Sequence, residues 1–284
     1  PSIRTMRPVL DTALIREYVA AALAEDIGAG DATTEALIDA SARGRGDLIA
    51  REPLMVAGMP LAIEAFHQLD LQSEITVHVE EGHFARSGTS IATVKTSLRA
   101  LLTAERTALN YLQRLSGVAT QAAKFVQAVE GTGVKILDTR KTTPSWRVLE
   151  KYAVQCGGAA NHRRGLDDMI MIKDNHLALR GGSIEEAVVQ ARQNYPNLKI
   201  EVEADTLEQV AQAAESGADF ILLDNMSTNQ LREAIKLVAG RVLTEASGGI
   251  TLDTIRTIAE TGVDAISVGA ITHSAPAVDI AMDI

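Results

Sequence analysis

From residue 134 to residue 273 the sequence keeps switching between two hydrophobic periods, and no other feature narrows the fold as much. Short apolar runs recur at 200–202, 220–223, 242–243 and 265–268, with amphipathic stretches at 183–194, 206–216, 228–238 and 251–261. Leu207, Val210, Ala211 and Ala214 follow the i, i+3, i+4, i+7 spacing of a helix with one buried face. Thr206 and Thr251 place hydroxyls where helices start, and Glu208 and Asp253 place acids in the first turn. Gly217 and Gly262 close helices and lead into the next run. Repeated strand–helix units of this length imply a parallel sheet, closed as a barrel or left open.

The first hundred residues read differently. Residues 7–24 suit one amphipathic helix, with Leu10, Leu14, Val19 and Leu23 on its apolar side. Residues 44–58 and 74–95 carry short strand-like runs, and ITVHV at 75–79 alternates as a half-exposed strand does. Residues 62–69 fit a helix between them, so the region reads as a small α+β domain. A helical stretch over 98–130, interrupted near Ser116 and Gly117, joins it to the repeating half.

A formal charge of −10 argues against a nucleic-acid partner, which calls for a broad basic face, and 3% aromatics leaves few platforms for base stacking. No run approaches the roughly 20 apolar residues of a membrane helix, and PSIRTMRPVLDT lacks a secretory apolar stretch. A single cysteine, Cys156, excludes an internal disulfide framework and fits a reducing cytoplasm, with Cys156 itself a small buried filler.

Against that acidic background, residues 138–176 gather Arg140, Lys141, Arg147, Lys151, Arg163, Arg164 and Lys173. Several abut apolar runs, KIL at 135–137 and MIMI at 169–172, and cations held there without an anionic partner are costly. A small, highly charged anion is the simplest partner. In a strand–helix barrel, reactive side chains project from the C-terminal strand ends. Those ends read Asp138-Thr139-Arg140-Lys141, Lys173-Asp174-Asn175-His176, Glu203, Asp224-Asn225, Ser247-Gly248-Gly249 and Gly269-Ala270. Arginine forks suit carboxylate and phosphate, and lysine serves as a movable point charge, so Arg140, Lys141, Arg163 and Lys173 can clamp a ligand bearing both groups. Arg147, Lys151 and Arg164 read instead as surface ion-pair formers. The two glycine-rich loops let backbone N–H groups approach a phosphate. Glu203 and Asp224 suit water-mediated Mg²⁺, ribose hydroxyls, or salt bridges to Lys141 and Lys173. His162 suits either a ligand carboxylate or a turn cap, and His176 suits loop organisation. The histidines show no HxxxH or HxH spacing, which argues against a zinc site, and no nucleotide-loop or nucleophile-elbow motif is present.

These strings resemble the quinolinate phosphoribosyltransferase family: EDIGAGDATT at 25–34, LTAERTALNYLQRLSGVAT at 102–120, DTRKTTP at 138–144, KYAVQCGGAANHRRGL at 151–166, IKDNH at 172–176, EVEADTLEQ at 201–209, LLDNM at 222–226, EASGGI at 245–250 and ETGVDAISVGAITHS at 260–274. The resemblance implies an α/β protein with an N-terminal α+β sandwich domain, residues 1–107, and an incomplete (β/α) barrel, residues 108–274, with the tail 275–284 returning to the first domain. It implies a cytoplasmic homodimer in which Arg106 reaches the partner's site. It assigns Arg140, Lys141, His162, Arg163 and Lys173 to quinolinate and phosphoribosyl diphosphate. Glu203 and Asp224 fall to ribose and Mg²⁺, and Ser247, Gly248, Gly249, Val268, Gly269 and Ala270 to phosphate, with Thr139 beside them. Lys141, Glu203 and Asp224 are the implied catalytic set. The implied reaction gives nicotinate mononucleotide, pyrophosphate and carbon dioxide. Two rival readings are a relative of molybdenum-transport type with another substrate and a non-catalytic barrel that binds phosphometabolites. Ser145-Trp146 departs from the family's usual glycine and aliphatic residue.

Overall fold

The computed structural model describes residues 9–284, and the chain divides into two compact units. The first takes the residues through Ala123 together with Val148–Gly158 and Ser274–Ile284; the second takes Lys124–Arg147 and Ala159–His273. The expected boundary after residue 107 falls inside a continuous helix.

In the first unit, α1 (Thr12–Ile27) starts where the Asp11 carboxylate accepts the N–H groups of Ala13 and Leu14. Its buried face is Ile15, Val19 and Leu23. The helix begins later than the pattern suggests, and residues 7 and 8 lie outside the described residues. Then follow α2 (Ala32–Leu37), β1 (Arg43–Ala50), β2 (Leu54–Met55), α3 (Met59–Leu69), β3 (Glu74–Val77), β4 (Phe84–Ala85) and β5 (Ser90–Ser97). β5 pairs antiparallel with β1 and β3, and β2 pairs with β4.

The helix α4 (Leu98–Ala128) runs unbroken through Ser116 and Gly117, which corrects the expected interruption. These two residues are packing devices. Ser116 Oγ donates to the Ala57 carbonyl at 3.1 Å and accepts the Ala57 N–H at 3.0 Å. Gly117 leaves room for the backbone at Pro276 and Ala277, which a Cβ would overlap.

In α5 (Arg147–Cys156), Glu150 is fully buried and pairs with Arg114 Nη2 at 2.8 Å. Lys151, expected at the surface, is 3% exposed because nearly the whole helix is covered. Cys156 is buried as expected, and burial pushes its thiol pKa upward. Its neighbour Glu81 accepts the N–H groups of Gly58 and Met59 and the Tyr152 hydroxyl. Glu81 thereby caps α3, whose N-cap residue, Gly58, has no side chain to do so.

The second unit contains β6 (Lys135–Leu137), β7 (Ile170–Ile172), α6 (Asp174–Arg180), α7 (Ile184–Asn194), β8 (Ile200–Ala204), α8 (Leu207–Glu215), β9 (Phe220–Asp224), α9 (Thr228–Val238), β10 (Leu243–Ser247), α10 (Leu252–Ala259), β11 (Ala265–Ser267) and α11 (Ala270–His273). The six strands form one parallel sheet in the order β6-β11-β10-β9-β8-β7. An isolated parallel bridge from Leu137 to Ala160 extends it beyond β6, and no ladder closes it onto β7. The barrel is incomplete, as expected. Strand periodicity then separates the faces. Ile200, Val202, Ile221, Leu223, Ala246 and Ile266 are buried against the helical layer. Glu201, Glu203, Leu222, Asp224, Glu245, Ser247 and Ser267 alternate with them and face the opposite side. Thr206 caps α8 at the helix start its position suggests, and Gln209 completes the cap in return.

Asp219 fastens the start of β8. It accepts Ile200 N at 2.9 Å, Arg192 Nη2 at 2.8 Å and Lys199 Nζ at 2.7 Å. These partners outweigh the upward pull of partial burial and lower its pKa to about 2. A depressed carboxyl pKa stabilises the fold above its unfolded value of about 3.9, and that contribution fades as pH falls toward 2. Asp219→Asn should lower unfolding stability at pH 7 by about 1 kcal/mol, the solvent screening of this site keeping the loss small. The difference from wild type should close as pH falls to about 2, the folded-state pKa; urea unfolding at pH 7 and near pH 2 checks it.

The chain ends in β12 (Ile280–Asp283), which pairs antiparallel with β1 and completes the first unit's sheet, β12-β1-β5-β3. Ser274–Ile284 thus belongs to the first unit. Among the described residues, no helix is long and apolar enough to cross a membrane.

Candidate active site

The strand tips of the second unit surround a cavity of about 500 Å³. Its cationic wall is Arg140, Lys141, Arg163 and Lys173, its acidic wall Glu203, Asp224 and Glu245, and its glycine edge Ser247-Gly248-Gly249. Thr139 and His162 line it too. The sequence-derived residues of the second unit therefore converge, with three exceptions. Val268 is 2% exposed and packs in the core, so it does not line the cavity. Gly269 lies behind Lys141, where a Cβ would press on Lys141 Cδ at 3.1 Å, and Ala270 begins α11 outside the lining. Arg106 belongs to the first unit and is exposed on α4. Met171, Leu222, Glu245 and Ser267 also line the cavity, and sequence reasoning passed over them as site residues; Asn225, noted only as a strand end, lines it as well.

Each charged group is held by its strand. Asp138, fully buried at the end of β6, accepts Asn161 Nδ2 at 2.7 Å and the His162 N–H at 2.8 Å. Arg163 donates to the Met169 carbonyl at 3.2 Å and to Met171 Sδ at 3.6 Å. Burial first, then the charge of Arg140, lowers the pKa of Arg163. Arg140 Nε is buried and has no acceptor among the described residues. Two crowded guanidinium groups and a donor without an acceptor are an environment that an anion completes.

Across the cavity, Lys173 Nζ meets Glu203 Oε2 at 2.5 Å, which realises the salt-bridge reading of Glu203. The Lys173 N–H donates to His176 Nδ1 at 3.0 Å, so His176 organises the turn, as expected. Burial raises the pKa of Asp224, and the charges of Glu203 and Asp205 raise it further, against the opposing effects of Asn225 and Lys173. Crowded hard oxygens of this kind fit a divalent cation such as Mg²⁺, which would relieve their repulsion. Asn225 takes a left-handed backbone, φ 52°, and its Nδ2 donates to Asp224 Oδ2 at 2.7 Å. Gly248 must lack a side chain because its Cβ would strike the Asn225 amide.

His162 is part of a tighter group. Its Nε2 lies 3.1 Å from Glu201 Oε2 and 3.3 Å from Glu245 Oε2. Burial opposes charge on the ring, but the hydrogen bonds and charges of the two carboxylates outweigh it and push the pKa upward. The Arg163 N–H, 2.7 Å from Nδ1, can be accepted only by an unprotonated nitrogen. The hydrogen that the two carboxylates favour on the ring is therefore the one on Nε2, which faces Glu201 and Glu245, while Nδ1 acts as the acceptor. Burial first, then Glu245, raises the pKa of Glu201.

Arg147, Lys151 and Arg164 stand apart from the lining. Arg147 braces the loop after β6 by donating to Thr142 Oγ1 and to the carbonyls of Arg140 and Arg164, rather than forming a surface ion pair. Arg164 does face Asp168, at 3.9 Å. In that loop Ser145 holds φ 65°, a conformation glycine adopts without strain.

An open parallel barrel that gathers guanidinium, ammonium and carboxylate groups around one cavity defines an α/β-barrel protein built for polyanionic ligands. The chain belongs to the quinolinate phosphoribosyl transferase family: residues 31–116 match its N-terminal domain and residues 118–283 its C-terminal domain. A probable nicotinate-nucleotide pyrophosphorylase (carboxylating) of Synechocystis is 45% identical over 266 residues, covering 92% of this chain and 90% of that one. The nicotinate-nucleotide pyrophosphorylase (carboxylating) of Mycobacterium leprae is 42% identical, covering 95% and 96%. The crystal structure of NadC from Streptococcus pyogenes superposes with a TM-score of 0.94 at 40% identity, covering 97% and 98%.

Proposed function

We propose that this chain transfers the 5-phosphoribosyl group of phosphoribosyl diphosphate to the ring nitrogen of quinolinate and releases pyrophosphate and carbon dioxide. The product, nicotinate mononucleotide, leads into NAD. The observation that carries the reading is the pairing of Arg140 and Arg163 in one cavity, with a buried Arg140 donor awaiting an acceptor.

Quinolinate and phosphoribosyl diphosphate are both polyanions and repel each other. Arg140, Arg163, Lys141 and Lys173 would neutralise them and set the ring nitrogen against the anomeric carbon, and positioning of this kind supplies much of an enzyme's acceleration. The nitrogen lone pair forms the new C–N bond as the C–O bond to pyrophosphate breaks, its electron pair leaving with the pyrophosphate. No general base is needed, because the attacking nitrogen carries no proton. Glu203 and Asp224 would favour the positive charge growing on the ribosyl carbon. The carboxyl beside the now positive nitrogen then departs as carbon dioxide, and its electron pair stays on the ring carbon, which takes a proton from solvent. Glu203 and Asp224 would also hold Mg²⁺, directly or through water, and the bound ion would offset charge on the departing pyrophosphate. The glycine edge at Ser247-Gly248-Gly249 would take a phosphate.

The working form in this reading is a cytoplasmic homodimer. The exposed Arg106 would be lent to the partner's cavity, and the single buried cysteine suits a reducing compartment. Incubation with phosphoribosyl diphosphate and either quinolinate or nicotinate tests the function. Mononucleotide and carbon dioxide should form in equal amounts from quinolinate only; mononucleotide from nicotinate, or none from either, sinks it.

A further inference from the structure

Two acids of the barrel interior have no part in the reaction outlined above, and their burial is unusual. Glu201 on β8 is fully buried and Glu245 on β10 is 3% exposed. Each has one carboxylate oxygen, Oε1, buried with no hydrogen-bond partner among the described residues. Desolvated carboxylates with an oxygen left over weaken a fold, and apolar residues of similar size in such places often strengthen it. Stability alone does not account for two of them facing one imidazole.

We infer that Glu201 and Glu245 are positioning residues, which orient His162 so that its Nδ1 fixes the backbone of Arg163 against the substrate cavity. The inference rests on the phosphoribosyl-transfer reading, in which Arg163 clamps a quinolinate carboxylate. The contacts form a directed series. Asp138 holds the His162 N–H at 2.8 Å. The carboxylates of Glu201 and Glu245, 3.1 and 3.3 Å from Nε2, share its proton and fix the ring's tilt and tautomer. Nδ1 is then bare and accepts the Arg163 N–H at 2.7 Å. The guanidinium of Arg163 is steadied in turn by the Met169 carbonyl. The same three side chains, His162, Glu201 and Glu245, have the spacing of metal ligands. A ring whose Nδ1 already accepts a proton carries its own hydrogen on Nε2 and offers no lone pair there, so the geometry is that of a hydrogen-bonded group.

Substitution separates this role from a structural one, because the two predict opposite pairs of effects. Glu245→Leu and Glu201→Leu should melt at or above the wild-type temperature. Both should bind quinolinate at least tenfold more weakly by calorimetry without the second substrate, and the KM for phosphoribosyl diphosphate should stay within threefold. Glu245→Gln, which keeps an acceptor for Nε2–H, should restore quinolinate binding to within threefold of wild type. Wild-type affinity in the leucine variants overturns the inference, as does loss of both substrates in proportion to lost stability. If neither leucine variant folds, the ring ¹⁵N resonances of His162 in the wild-type protein decide: a bare Nδ1 with a protonated Nε2 supports the assignment, and a protonated Nδ1 overturns it. Wild-type turnover of quinolinate in the same series tests the underlying reaction separately.

Discussion

Lys173→Ala should lower kcat/KM for phosphoribosyl transfer by about 100- to 1000-fold and leave the fold intact. The range is what removal of one preorganised charged donor from an enclosed site typically costs. Lys173 sits just past β7 with its side chain 41% exposed, so truncation opens no core cavity. Its ammonium touches Glu203, and its charge also acts on Asp224. Without it, Glu203 and Asp224 face each other uncompensated, and two incoming polyanions meet a cavity with less positive charge. The charge of Lys173 also lowers the pKa of Asp224, so its loss must raise that pKa. The acid limb of the pH–rate profile should therefore move to higher pH, with Asp224 protonated and inactive where the wild type still works. Lys173→Arg should recover only part of the rate, because a planar fork replaces a compact ammonium. Steady-state kinetics across pH 5–9, with thermal unfolding as the control, checks all three expectations. Turnover within threefold of wild type would remove Lys173 from the reaction.

The parallel barrel was legible because its signal is periodic. Apolar runs at regular intervals, separated by helices with hydroxyl starts and glycine ends, leave few alternatives. The cationic wall was legible for a related reason: Arg140 and Lys173 follow directly on buried strands, where a charge needs a purpose. Glu201 and Glu245 were harder to see. Each lies inside a run that reads as ordinary strand or turn, and only the alternation within IEVEA and LTEAS marks the acids as inward-facing. That pattern was available: two acids two residues apart in a buried strand must share a face, and the face cannot be the one against the helices. Lys151 misled because a lysine in a short polar helix normally lies in water, and the amount of chain covering α5 is a property of the tertiary fold. Val268 misled because it sits next to a glycine at a strand end, where one residue's shift turns a side chain from the cavity to the core.

Gly117→Ala tests the reading of α4 through a change of sign. Helix propensity favours alanine over glycine by roughly 1 kcal/mol in a helix interior, so on local grounds the substitution should stabilise the protein. Packing predicts the reverse. A Cβ at position 117 would overlap the carbonyl oxygen of Pro276 and lie 3.1 Å from its carbon and 3.2 Å from the Cα of Ala277. All three are backbone atoms, so no side chain can swing aside. Nor can the tail segment retreat easily, because the same helix holds it on both sides. Arg114 Nη1 donates to the Ala275 carbonyl at 2.6 Å, Val278 N donates to the Gln113 carbonyl at 3.1 Å, and Gln113 Nε2 donates to the Ile280 carbonyl at 2.8 Å. Moving the tail far enough to admit a methyl group would stretch these bonds and disturb the pairing of β12 with β1. Overpacking of this kind costs about 1–3 kcal/mol, and rigid backbone on the receiving side places the variant at the upper end. The net loss should be on the order of 2 kcal/mol, read as a lower urea midpoint, and Gly117→Val should lose more. An alanine variant as stable as wild type, or more so, would mean that the tail does not pack on α4 as described, and that glycine at this position reflects the interruption its sequence suggests.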